Sequence, residues 1–265
     1  MATESRTVLP LPDGNPEPLA GGWKNELVRY GRVVLRVEQA SLESVAWEHR
    51  LLRFVAERVP EAVVPVAGPE VWEDGRTASL LPFVEGRALD SGSAAERRAA
   101  GELLGRLHRV GLEWDGGQRP DRPAIVELDL VENDWWDWRI VDKPRALVDA
   151  YEEMVDFLFD PPLLAVGIVH GDTDSANLLV RDGVIAGVVD WEYARVDWPA
   201  WELANAAWKL GSDVVDAYEG PAEIALLPTL TRFRHVHDLL YSLTSRARGE
   251  PYSDAHVTRL LEELA

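Results

Sequence analysis

The stretch that most constrains this fold runs from residue 168 to residue 192. Two apolar runs, Ile168-Val169 and Leu178-Leu179-Val180, flank a polar loop carrying Asp172 and Asn177, and a third run, residues 184–189, ends at Asp190. Each run is too short for a helix and suits a strand. Asp182-Gly183, between the second and third runs, is a two-residue hairpin signal, because both residue types accept the positive φ of a tight antiparallel turn. The hairpin folds Asp190 back beside Asn177, so three oxygen-bearing side chains gather at strand ends. A few hard oxygen donors suit Mg2+, which keeps water and completes its shell with substrate phosphates. The alternative is a polar strand-end loop in which Asp and Asn only cap turns.

The order His170-Gly171-Asp172, four residues, Asn177, then Asp190 resembles the signature of the aminoglycoside phosphotransferase and choline kinase family. That family shares the protein-kinase fold. The resemblance therefore implies an α+β, two-lobed, protein-kinase-like architecture: a small antiparallel sheet lobe with one helix, and a larger, mainly helical lobe. It implies Asp172 as the catalytic residue near the attacking hydroxyl, Asn177 and Asp190 as Mg2+ ligands, and ATP as phosphoryl donor with GTP left open. His170 is expected to brace the loop through a backbone bond. Asp174 and Glu192, beside these positions, are candidate substrate contacts.

Upstream, the run 19–30, which carries Gly21-Gly22, is followed by Gly31 and the strand 33–37, two strands joined at a glycine turn, and a glycine pair lets backbone N–H groups approach phosphates. An ordinary hairpin has the same appearance. Arg36 lies on the second of these strands, where kinases carry the cation that contacts nucleotide phosphates, here a planar fork in place of a lysine point charge. Apolar residues Val45, Leu51, Leu52, Val55 and Val59 recur with helical spacing after Ser41 and Ser44, either of which can cap. Glu48 on that helix matches the glutamate that pairs with the strand cation; the alternative is an intrahelical pair with a neighbour such as Arg53. Residues 63–66, 70–72 and 78–81 are expected as strands. Leu81, Phe83 and Val84 resemble the hinge whose backbone groups bind the adenine, and Pro82 has no N–H, so the donor falls to a neighbour.

These features divide the chain into an irregular arm over residues 1–18, a nucleotide-binding lobe over 19–86, and a catalytic and substrate-binding lobe over 87–265. In the last, residues 94–108 are helical, with Gly101 and Gly105 permitting close approach, and His108 has a structural role at the helix end. Residues 127–138 carry acids and indoles but no Lys or Arg. Asp134, Trp135, Asp137 and Trp138 could hold an amino sugar, carboxylates pairing with ammonium groups and an indole stacking on the ring. The alternative is an amphipathic helix that buries the indoles. Residues 141–158, 222–243 and 254–264 are expected as helices. Glu202-Leu203-Ala204 stands where the family often shows Asp-Leu-Ala, so an anchoring bond made there could shift. His235 and His237 lie two apart, cannot share a helix face, and are expected to be structural.

At 265 residues, 46% hydrophobic and with 11 tryptophans, the chain can fill a real core. It has no apolar run long enough to cross a bilayer. Zero cysteines exclude disulfides and thiolate chemistry, and a net charge of −19 opposes nucleic-acid and anionic-membrane binding while favouring cationic partners. The expectation is a cytoplasmic monomer or homodimer that transfers the ATP γ-phosphoryl group to a small hydroxylated substrate. An aminoglycoside or other antibiotic comes first. Metabolites such as choline or homoserine are the alternative, as is a catalytically silent nucleotide-binding module.

Overall fold

The computed structural model describes residues 9–11, 14–19 and 25–265. Five antiparallel strands form the small lobe's sheet in the order β1-β2-β3-β5-β4. β1 is Glu17–Pro18, β2 Glu26–Tyr30, β3 Val33–Glu38, β4 Ala67–Val71 and β5 Thr77–Pro82. Tyr30 pairs with Val33 across a tight turn at Gly31, which sets the alternation: Leu35 and Val37 join Ala78 and Leu80 in a small core, and Arg36 turns to the other face. Residues 63–66, expected as a strand, instead form an extended link, and β4 begins only at Ala67 with a register shift before Glu70. Pro65 and Pro69 supply no ladder donor, which weakens pairing there.

Helix α1, Leu42–Ala56, is capped by Ser41, whose hydroxyl accepts from the Ser44 N–H at 3.2 Å. Its apolar face, Trp47, Leu51, Leu52 and Val55, belongs to the large lobe's hydrophobic cluster, so this helix packs the small lobe on the large one. Beyond the short strand β6, Arg87–Ala88, the large lobe is built from α2, Ala94–Gly111, and α3, Arg145–Phe159. It continues through β7, Gly167–Val169, β8, Leu178–Arg181, β9, Val184–Val188, β10, Arg195–Asp197, and α4, Pro199–Leu210. Helices α5, Asp213–Asp216, α6, Leu227–Arg248, and α7, Asp254–Leu264, close it. A Cβ at Gly101 would lie 2.1 Å from the Val214 carbonyl oxygen, so α5 can approach α2 only because that position is glycine.

Residues 127–138 are not an amphipathic helix, and α3 starts at Arg145 rather than at 141. Local side chains capture the backbone: Asp129 Oδ1 accepts from the Val131 and Glu132 N–H groups at 2.8 and 3.2 Å, and Asn133 Oδ1 from those of Trp135 and Trp136 at 2.9 and 3.1 Å. Such Asx bonds compete directly with helix formation. Among the described residues, no helix is long and apolar enough to cross a membrane.

Candidate active site

The loop after β7 is fixed from beneath by one buried carboxylate. Glu202, one turn into α4, accepts from the Gly171 N–H at 2.7 Å and the Thr173 hydroxyl at 2.6 Å through Oε1. Its Oε2 takes the His170 N–H at 2.9 Å and meets His108 Nε2 at 2.8 Å. Burial alone would raise this carboxyl, but the His108 bond and the other donors hold it down at about 2. The Glu in place of Asp therefore still reaches the loop backbone. His108, which sequence position ties only to a helix end, sits between Glu202 and the Tyr218 hydroxyl, 2.8 Å from its Nδ1. Gly171 has φ +85°, and a Cβ there would lie 2.2 Å from the Tyr193 carbonyl oxygen, so the loop requires glycine.

His170 bonds Val189 O through Nε2 at 2.9 Å and the Asp172 N–H through Nδ1 at 3.3 Å, the backbone bracing expected of it. Both ring nitrogens are thereby spent on loop geometry. Asn177 Nδ2 donates to the Asp172 backbone oxygen at 2.9 Å and to its Oδ2 at 3.1 Å. The amide is so oriented that Asn177 Oδ1 carries no hydrogen bond among the described residues. The hairpin forms as expected, with Asp182 at φ 53° and Gly183 at φ 80°, and brings Val188 opposite Leu178. Asp190 adopts the left-handed conformation at φ 62°, which is uncommon for a residue other than glycine. No hydrogen bond or ion pair among the described residues reaches its carboxylate. Burial, then the neighbouring Glu192, push it up to about 6. An under-neutralised carboxylate beside a free amide oxygen is a donor set that fits Mg2+. No group of three or more His, Cys, Asp or Glu among the described residues could hold a metal alone, so further ligands would have to be phosphate and water.

Arg36 is buried at the centre of a charge network. Its Nη2 reaches Glu48 Oε1 at 2.6 Å, the pair that the family resemblance implies. Two members were not anticipated. Glu38 Oε1 lies 2.7 Å from Arg36 Nε, out of line for a hydrogen bond, so the contact is an ion pair only. Burial raises the Glu38 carboxyl to about 7 against the pull of Arg36. Arg119, from the turn-rich segment after α2, is equally buried: it reaches Glu48 Oε2 at 3.2 Å, the Ser44 hydroxyl at 2.7 Å and the Trp191 carbonyl at 2.9 Å. It ties α1 to the residue following Asp190. A lone Arg among prolines and glycines gives no sequence signal for this.

A cavity of about 370 Å³ opens between the lobes, lined by Leu27, Val34, Leu81, Phe83 and Val84 at one end and by Arg36, Asn177 and Asp190 at the other. The Phe83 N–H is already committed to the Arg32 carbonyl at 2.8 Å, so of the two neighbours of Pro82 named from sequence only Val84 could offer its N–H to a ligand. Gly21 and Gly22 lie outside the described residues. A second cavity, about 380 Å³, lies on the large-lobe side of Asp172 and is walled by Trp135, Tyr193, Trp201 and Tyr241.

Of the expected substrate contacts, only Trp135 lines that second cavity. Asp134 is exposed on its loop. Asp137 is held by Arg139 at 2.8 Å, which keeps it down at about 2, and Trp138 stacks on Tyr151 with ring centroids 3.9 Å apart. Asp174 caps the 3-10 turn Ser175–Asn177 through the Ala176 N–H at 3.2 Å. Glu192 accepts from Asn25 Nδ2 at 2.7 Å, on the small-lobe side. The cavity's charged groups instead come from β10, α4 and α6: Arg195, Lys209, Arg234 and Asp238. Lys209 Nζ stands 3.6 Å from Asp172 Oδ1 and 3.5 Å from Asp174 Oδ2.

A family model described as the phosphotransferase enzyme family matches residues 16–236. The chain belongs to that family. Among curated relatives, this family member is 29% identical over 200 residues to a homoserine kinase of Methylobacillus glycogenes, an alignment covering 69% of this chain and 59% of the relative. It thus spans about three-fifths of that relative's length. Among solved structures it resembles amicoumacin kinase hAmiN in complex with AMP-PNP, Ca2+ and Ami, with TM-score 0.72 and 16% identity over 94% of this chain and 87% of that one. It also resembles the GDP and kanamycin complex of an APH(2")-type enzyme, with TM-score 0.71 and 18% identity over 96% and 93% of the two chains. The family member has the α+β, protein-kinase-like fold: a five-stranded antiparallel sheet with a helix, and a larger helical lobe.

Proposed function

We propose that the protein transfers the γ-phosphoryl group of ATP to a hydroxyl of a small metabolite, of the choline or homoserine kind. One observation carries this. A single loop serves both cavities, with Asp172 on the wall of one and Asn177, with Asp190 beside it, on the wall of the other. A hydroxyl in the second cavity would thus face phosphates in the first across Asp172.

In this reading the adenine occupies the apolar end of the interlobe cavity with the Val84 N–H as donor, and residues 19–86 and 87–265 act as nucleotide and acceptor lobes. Arg36, oriented by Glu48, binds nucleotide phosphate. Asn177 Oδ1 and Asp190 would hold Mg2+, which supplies neutralisation of phosphate charge. Asp172 orients the acceptor hydroxyl, whose oxygen bonds to the γ-phosphorus as the bond to the β–γ bridging oxygen breaks and ADP leaves. The hydroxyl proton passes late to Asp172, because the transition state is loose and positioning counts for more than basicity. The match to homoserine kinases supports a metabolite over the antibiotic that comes first from sequence; the antibiotic kinases resemble this chain below 25% identity, a likeness of fold alone.

The test is an ATP-consumption screen over metabolites and antibiotics, with product mass to detect one added phosphate. A phosphorylated metabolite is expected. Nucleotide binding with no transfer to any acceptor would overturn the proposal in favour of a silent module.

A further inference from the structure

The cationic acceptor that the net charge favours does not match the cavity beside Asp172. Its charged lining comprises Asp172, Asp238, Arg195, Lys209 and Arg234, more cation than anion. The whole-chain charge of −19 sits elsewhere.

The three cations differ in what they already hold. Arg195 is committed: Nε reaches Asp197 Oδ2 at 2.7 Å and Nη1 the Tyr193 carbonyl at 3.2 Å. Lys209 is shared between Asp172 and Asp174 at distances beyond a hydrogen bond. Arg234, on α6, is 8% exposed, and its one hydrogen bond among the described residues is a long one, Nη2 to Asp238 Oδ1 at 3.3 Å. Its Nε is buried and donates to nothing among the described residues. Asp238 itself is shared with His237 Nδ1 at 3.3 Å. The guanidinium lies 5.2 Å from the Trp201 ring, which fixes its plane without satisfying its donors. A guanidinium has five N–H donors, and leaving buried ones unpaired costs free energy that a matching acceptor recovers.

Resting on the phosphotransferase reading above, we propose that Arg234 anchors a carboxylate on the acceptor, so that the substrate is a small hydroxy acid rather than a polycation. The guanidinium fork matches a carboxylate in two parallel bonds. A cavity of about 380 Å³ takes a molecule of that size, with Asp172 on the same wall to receive the hydroxyl. An aminoglycoside would bring several ammonium groups against Arg195, Lys209 and Arg234.

The experiment compares hydroxy acids with counterparts lacking only the carboxylate, L-homoserine against 3-aminopropan-1-ol among them, in wild type, Arg234→Gln and Arg234→Lys. Transfer kinetics are one readout; calorimetric binding to the protein loaded with Mg2+ and AMP-PNP is the other. The wild type should favour the carboxylate member by about 100-fold in kcat/KM, the scale of a lost charge-assisted pair. Arg234→Gln should cut that preference below tenfold through acceptor KM, and Arg234→Lys should restore part of it. Equal use or equal binding of the paired compounds by the wild type overturns the carboxylate site whatever the variants do. Carboxylate-dependent binding lost in Arg234→Gln, with no phosphoryl transfer to any compound, supports the site while sinking the phosphotransferase reading.

Discussion

The two cavities that meet at Asp172 are built differently. The interlobe cavity takes its polar residues from strands, strand ends and one capped helix: Arg36 on β3, Glu48 on α1, Asn177 before β8 and Asp190 after β9. Regular backbone sets their spacing, so short sequence patterns locate them. The acceptor cavity takes its residues from an irregular loop, β10 and one face each of α4 and α6, brought together only by tertiary packing. The charge is also inverted. The Asp190 carboxyl and the buried Glu38 carboxyl are raised to about 6 and about 7, whereas the second cavity ends in a guanidinium short of partners. On the proposed reading one half receives a cation and the other an anion, and Glu202 holds the Asp172 loop between them.

That contrast can be broken by substitution. Asp172→Asn should lower kcat by about 10³-fold, the range of a lost general base, with nucleotide affinity retained, as read by steady-state kinetics and AMP-PNP titration. Arg119→Met leaves Glu48 with one buried partner fewer, and urea unfolding should show a loss of about 3 kcal/mol together with a raised KM for ATP. If the ATP KM stays put, Arg119 braces the fold without positioning the nucleotide side. Asp190→Ala should weaken Mg2+-dependent AMP-PNP binding by roughly 10- to 100-fold in the same titration, leaving acceptor binding in place.

The smallest effect is a pH dependence on the acceptor side. Burial, then Arg234, lower His237 to about 4 from an unfolded value of 6.5. Between those values the unfolded chain binds the extra proton, so this contribution to stability is complete above pH 6.5 and is lost as pH falls through 4. Melting temperatures of His237→Asn should fall less steeply over that window than those of the wild type. Matching slopes would show that the proton uptake belongs elsewhere, His49 being lowered to about 4 in the small lobe.

Much of the donor side was legible because its chemistry is local. The Asp182-Gly183 turn fixes where Asp190 lands, and the resemblance to the kinase fold pairs Glu48 with Arg36. Arg119 and Glu38 escaped because burial, not residue type or spacing, makes them part of the network. The indole-rich segment 127–138 was legible only in part: Trp135 lines the second cavity, the rest does not. Its composition suggested a binding surface or a helix, but Asp129 and Asn133 bind their own backbone, Trp136 is fully buried, and Asp137 is taken by Arg139. Arg234 lies on a helix expected from sequence, yet its lack of partners emerges only once α6 is packed beside α4.

The most direct test of phosphoryl transfer across the Asp172 loop is the fate of label in a single turnover of the protein with γ-labelled ATP, Mg2+ and a hydroxy acid. The account predicts label in a phosphate ester of the acceptor hydroxyl, formed at a rate that falls with Asp172→Asn. Label released as inorganic phosphate at the same rate with and without acceptor would contradict it.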